Sequence, residues 1–157
     1  MSNKYTFFWA GVFSQWYKSD FIIDDITFNT AEQWMMYSKA KMFDPDMMPI
    51  ILQEKNPRKQ KDLGRQIKNF NKEEWEASAQ EIVYQGNYAK FTQNRELFNA
   101  LIDTAGTLLV EAAPNDVIWG IGLREEEAIQ IEEAYWPGLN WLGLVLTQLR
   151  EDILTAE

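Results

Sequence analysis

Apolar and polar residues alternate in short, changing rhythms from the first residues onward. Tyr5–Trp9 is apolar and aromatic and predicts a short strand. Phe21-Ile22-Ile23 and Ile26-Thr27-Phe28 flank Asp24-Asp25, a small-hairpin pattern. Asn29-Thr30 then opens a helix: Thr30 with Gln33 three residues on makes a capping box, and the helix extends to Phe43. Asp44-Pro45 and Asn56-Pro57 each place a cap before a proline and mark two further starts. Asn71 with Glu74 opens a longer helix carrying Trp75, Ala79, Ile82 and Val83 at helical spacing. Arg95–Thr104 carries Leu97, Leu101 and Ile102 on one side, and Leu108-Leu109-Val110 after Gly106 predicts a buried strand. Pro114-Asn115-Asp116 is turn chemistry, with Gly120 and Gly122 bracketing a tight segment beyond it. Asn140 is placed to cap a final helix whose buried stripe is Leu142, Val145, Leu146, Leu149 and Ile153. The expected fold class is α+β, predominantly helical, with a few short strands. No repeat, low-complexity tract or linker breaks the chain, so residues 1–157 are expected to form one compact domain.

Composition narrows the chemistry more than the architecture. The chain has no cysteine and no histidine. Disulfides, thiolate nucleophiles, Cys-type zinc sites and iron–sulfur clusters are excluded, as are Ser-His-Asp machinery and H-E-x-x-H metal sites. Any reaction must run on carboxylates, lysines, hydroxyls, backbone dipoles and aromatic faces. No acidic cluster has metal-cage spacing, so neither a metal nor a cofactor is expected. The start of the chain lacks the apolar core of a signal peptide and no apolar run approaches a membrane span. A soluble, cytoplasmic protein with no membrane partner is the expectation.

The formal charge of −9 is unevenly placed. Residues 55–72 hold seven basic side chains against Asp62, while the chain from Asp103 onward holds eleven acids against Arg124 and Arg150. The basic stretch reads as a solvated helix face, with a phosphate-attracting rim as the alternative.

Three places offer chemistry. In the helix after Thr30, Glu32, Met36 and Lys39 recur at spacings of four and three, which puts Glu32 and Lys39 on one face two turns apart. Glu32 also serves simply as an acid at the positive end of a helix, and Lys39 as a surface cation. Against that reading stand Trp34, Met35, Met36, Met42 and Phe43, which make the helix apolar nearly all round. In the second place, Leu109–Gly122, a buried strand delivers a turn, the acid Asp116, and Trp119 beside Gly120. Trp119 reads equally as a stacking platform and as a core residue. The third is Gly86-Asn87-Tyr88-Ala89-Lys90-Phe91, where a mid-helix glycine demands a packing or ligand reason.

Taken in order, these stretches resemble the YbiA-like (NADAR) family of N-glycosidases over almost the whole chain. The matching segments are Phe13-Ser14-Gln15-Trp16-Tyr17, Ala31–Met36, Lys39–Phe43, Leu63-Gly64-Arg65, Trp75, Gly86–Phe91, Leu109–Ala112, Asp116 with Ile118–Gly122, and Trp136-x-Gly138-x-Asn140-x-Leu142-Gly143. Asp24-Asp25 departs from the family's usual Asp-Gly, and Pro114 follows Ala113 where relatives tend to have serine. The resemblance implies hydrolysis of N-glycosidic bonds of phosphorylated ribosides. These are riboflavin-pathway ribosylaminopyrimidine phosphates or, as the alternative, ADP-ribose carried on guanine in nucleic acid. A non-catalytic protein that sequesters an ADP-ribose-like nucleotide is the third reading.

Cleaving a ribosyl C–N bond develops positive charge at the anomeric carbon, which a nearby carboxylate stabilises. Glu32 and Asp116 are the expected carboxylates, and Lys39 is the amine able to form a Schiff base with the opened sugar. Trp119 and Gly120 are expected at the base or sugar. Ser14, Lys41, Arg65, Asn87 and Lys90 are expected at phosphate or sugar oxygens.

Overall fold

A computed structural model describes residues 4–156, and in it helix predominates over strand. Two units are distinguishable by their internal contacts: one is built from the stretch up to Ser14 together with that from Glu96 onward, the other from Gln15–Arg95.

In the unit Gln15–Arg95, β2 (Phe21–Ile23) and β3 (Ile26–Phe28) pair antiparallel, Phe21 opposite Phe28. The two-residue turn between them needs positive φ at both positions, and Asp24 (52°) and Asp25 (65°) supply it. α1 (Ala31–Phe43) begins at Thr30, whose hydroxyl accepts from the Gln33 amide at 2.9 Å. Gln33 turns elsewhere: its side chain accepts from the Asn29 amide and donates to the carbonyls of Ile51, Leu52 and Glu54. That ties the start of α1 to the end of α2 (Met48–Gln53), which follows a one-turn helix over Pro45–Met47. α3 (Pro57–Gly64) starts at Asn56 and α4 (Lys72–Thr92) at Asn71, each asparagine side chain accepting an amide three residues on. Phe21, Phe28 and Ala89 form a core here, with Ile23, Ile26, Trp34, Tyr37 and Leu52 packed on it.

α4 runs unbroken through Gly86, so this glycine does not interrupt the helix. Its reason is packing: a Cβ there would stand 2.2 Å from Trp34 Cδ1, and the Trp34 indole donates to the Ile82 carbonyl at 2.7 Å.

In the other unit, β1 (Tyr5–Phe8) pairs parallel with β4 (Leu108–Glu111), Tyr5 opposite Leu108. α5 (Arg95–Ile102), the short α6 (Glu125–Ala128), a one-turn helix over Glu133–Tyr135 and α7 (Trp141–Thr155) complete it. Val110, Ile121 and Ala128 form one core cluster in it, with Tyr5, Phe7 and Trp136 packed around. Asn140 corrects the expectation of a side-chain cap on the last helix. It sits at φ 55° and makes no cap bond; its side chain instead accepts from Glu111 N and donates to Leu109 O, joining α7 to β4. Arg150 is buried, its guanidinium donating to the carbonyls of Thr104 and Thr107.

Candidate active site

Glu32 occupies the first turn of α1 and is only 5% exposed. Its backbone amide donates to the Gln15 carbonyl at 3.0 Å, and its carboxylate lies at the positive end of the helix. Lys39, two turns on, is half-buried. Burial lowers its pKa; the Glu32 charge opposes that and the Arg65 charge reinforces it, leaving the amine below the ordinary lysine value. The Lys39 Nζ lies 4.7 Å from the centroid of the Phe70 ring and 5.3 Å from that of Trp75. The helical spacing read from the sequence therefore does place an acid and an amine within electrostatic reach on one face.

Other expected residues of this unit are more spread out. Lys41 is exposed in the last turn of α1, and Arg65 is exposed just past α3, 3.9 Å from Asp62. Asn87 is fully buried; its amide donates to Gln15 Oε1 and to the Val83 carbonyl, both at 2.9 Å. Asn87 Oδ1 and Gln15 Nε2 have no hydrogen-bond partner. Gln15 thus bonds Asn87 through its side chain and Glu32 through its carbonyl. Lys90 is also fully buried, with Nζ 5.0 Å from the Phe91 ring and 5.8 Å from that of Tyr17. Burial pushes its pKa down to about 7, so near neutral pH a large fraction of it carries no charge.

The remaining four residues lie in the other unit. Ser14 is partly buried and its amide donates to the Gly11 carbonyl. Asp116 Oδ1 accepts from the amides of Ile118 and Trp119, both at 2.9 Å, which closes the turn after β4. Trp119 packs edge-on against Trp141 at 5.5 Å. Gly120 lets the chain return close to β4: an added Cβ would meet the Ala113 methyl at 2.9 Å and the Glu111 carbonyl at 3.0 Å.

Sequence reasoning missed Gln15 and Phe70 and placed Trp75 only on a core stripe. Gln15 was recoverable from its place in Phe13–Tyr17, one of the stretches carrying the family resemblance. Phe70 left no signal, because 31 positions separate it from Lys39. Among the described residues, no three His, Cys, Asp or Glu side chains converge to hold a metal ion, and no helix is long and apolar enough to cross a membrane.

The family model of the NADAR domain matches residues 7–154. N-glycosidase R617 of Acanthamoeba polyphaga mimivirus is 40% identical over 166 residues, spanning 96% of this chain and 97% of its own. The chloroplastic riboflavin biosynthesis protein PYRR of Zea mays is 35% identical over 139 residues, 83% of this chain but 20% of its own. The NMR structure of Escherichia coli YbiA aligns with a TM-score of 0.81 at 26% identity, covering 99% of this chain and 88% of that one.

Proposed function

The chain belongs to the NADAR family and is a hydrolase acting on N-glycosyl bonds; from that premise we propose that the bond it cleaves joins a phosphorylated ribose to an aminopyrimidine, as in early intermediates of the riboflavin pathway. The observation that carries this reading is the pair on α1: a buried carboxylate and, two turns away, an amine made less basic by burial. The similarity to a protein named for riboflavin biosynthesis supports the substrate class.

The C–N bonding pair leaves with the base nitrogen, which takes up a proton from solvent water, while the Glu32 carboxylate offsets the positive charge growing at the anomeric carbon. Unprotonated Lys39 adds to that carbon. The bond from that carbon to the ring oxygen then breaks, the oxygen taking the proton shed by the new ammonium, and a protonated Schiff base forms. Water adds to its carbon, and cleavage of the lysine C–N bond releases the sugar phosphate as its aldehyde and regenerates the amine. Arg65 and Lys41, both exposed cations, are assigned to phosphate oxygens. Asn87 and Lys90, being fully buried, are assigned to the support of the Gln15–Tyr17 segment in addition to the sugar side of the site.

The second reading is removal of ADP-ribose from guanine in nucleic acid. It is favoured by the run of exposed cations Lys55, Arg58, Lys59, Lys61, Arg65, Lys68 and Lys72 in a chain of net charge −9. Incubating the protein with a ribosylaminopyrimidine phosphate and, separately, with guanine-ADP-ribosylated DNA decides between them by which releases free sugar. Steep loss of activity with salt marks the polymer substrate. Release from neither overturns both.

A further inference from the structure

The segment joining α3 to α4, residues 65–71, is short and held at several points. Ile67 is buried, the Lys68 amide donates to Asp44 Oδ2 at 3.0 Å, and the Asn69 side-chain amide lies 3.5 Å from the Phe43 carbonyl. Asn69 adopts φ 62°, a left-handed conformation that asparagine accepts more readily than most residues, and Asn71 is committed to capping α4. Between these two asparagines Phe70 is held 45% exposed, its ring edge-to-face with Phe43 at 5.4 Å.

Burial does not account for a phenyl ring held half in solvent immediately after the left-handed Asn69. A cation against its face does: the Lys39 Nζ lies 4.7 Å from the ring centroid, and the buried Trp75 approaches the same nitrogen from α4 at 5.3 Å. A lysine reaches its nitrogen through a flexible four-carbon stem, so without such neighbours the amine samples many positions. Two aromatic faces on two separate segments restrict it.

We propose that Phe70, with Trp75 as the inner wall, is a positioning residue that holds the Lys39 amine in one place on the Glu32 face of α1. Its consequence for turnover rests on the role given to Lys39 in the proposed reaction; its effect on the amine itself does not. An aromatic face stabilises ammonium over neutral amine, so the rings also set how readily Lys39 loses its proton. The charged groups acting on Lys39 are Glu32 from α1, which favours the ammonium, and Arg65 from beyond α3, which disfavours it along with burial. Phe70 and Trp75 themselves carry no charge.

The test uses the full chain and needs no substrate. Competitive labelling with acetic anhydride from pH 6 to 11, read at Lys39 by peptide mass spectrometry with exposed Lys18 as internal reference, gives the midpoint at which the amine becomes reactive. In Phe70→Leu, which keeps apolar cover and removes the aromatic face, the Lys39 midpoint should fall by about half a pH unit while that of Lys18 stays. Phe70→Tyr should restore the wild-type midpoint. With a ribosylaminopyrimidine phosphate, Phe70→Leu should lower kcat more than it raises KM. An unchanged Lys39 midpoint in Phe70→Leu, or no rescue by Phe70→Tyr, overturns the proposal. Absence of turnover by wild type on any N-riboside would instead overturn the proposed reaction, and the labelling result would stand apart from it.

Discussion

Gly86→Ala sets two effects of opposite sign against each other. An alanine inside a helix is favoured over glycine by about 1 kcal/mol, so on propensity alone the change stabilises α4. Packing opposes it. The new methyl would lie 2.2 Å from Trp34 Cδ1 and 2.9 Å from Nε1, whereas carbon atoms rest about 3.5–4.0 Å apart. The indole must retreat by more than about 1 Å, and that strains its 2.7 Å bond to the Ile82 carbonyl. Overpacking of this kind costs about 1–3 kcal/mol, and a weakened hydrogen bond about 0.5–1.5 kcal/mol more. Packing outweighs propensity, for a net loss of roughly 1–3 kcal/mol. Urea unfolding should show a lower midpoint with an unchanged m value. Trp34→Leu provides the control: in that background the clash is gone, and Gly86→Ala should stabilise by about 1 kcal/mol. A Gly86→Ala protein as stable as wild type would refute the reasoning, because it would mean the Trp34 indole moves away at no cost.

Glu32→Gln keeps the shape of the helix start and removes its charge; turnover should fall by orders of magnitude with KM nearly unchanged, and near-normal turnover would return Glu32 to the role of a helix-dipole partner. Borohydride added during turnover should trap a sugar adduct on wild type and not on Lys39→Ala, as read by intact mass. Lys90 has a folded-state pKa of about 7 against an ordinary 10.5, so between those pH values the unfolded chain binds a proton that the folded one does not. Stability contributed at this site therefore rises with pH from about 7 to 10.5, and the wild-type curve should climb relative to that of Lys90→Met between pH 7 and 9; parallel curves would contradict it. Asp116→Ala leaves the amides of Ile118 and Trp119 without their acceptor and should cost about 1–3 kcal/mol in thermal or urea unfolding.

Local chemistry was the part of this protein open to reading from sequence. Thr30, Asn56 and Asn71 cap helices where they stand because a short polar side chain reaches an amide three residues ahead, whatever the rest of the chain does. The Asp24-Asp25 turn and the Glu32–Lys39 spacing are likewise consequences of backbone geometry over a few residues. What lay beyond sequence reasoning depends on positions far apart in the chain. The parallel pairing of Tyr5–Phe8 with Leu108–Glu111 has no local signature. Asn140, whose cap was expected from local pattern, bonds β4 instead, because Glu111 N and Leu109 O lie within its reach only after folding. Gly86 called for a packing or ligand reason, and only the fold shows it to be a seat for Trp34. Arg150, one of two basic residues in the acidic half of the chain, is buried under three bonds to Thr104 and Thr107 that form only once those residues are brought to it. The carboxylate and the amine were thus determined by the sequence, since helical periodicity alone puts them on one face. The two rings around that amine were decided by tertiary structure, because only the packing of α1, α4 and the segment before α4 brings Phe70 and Trp75 to Lys39.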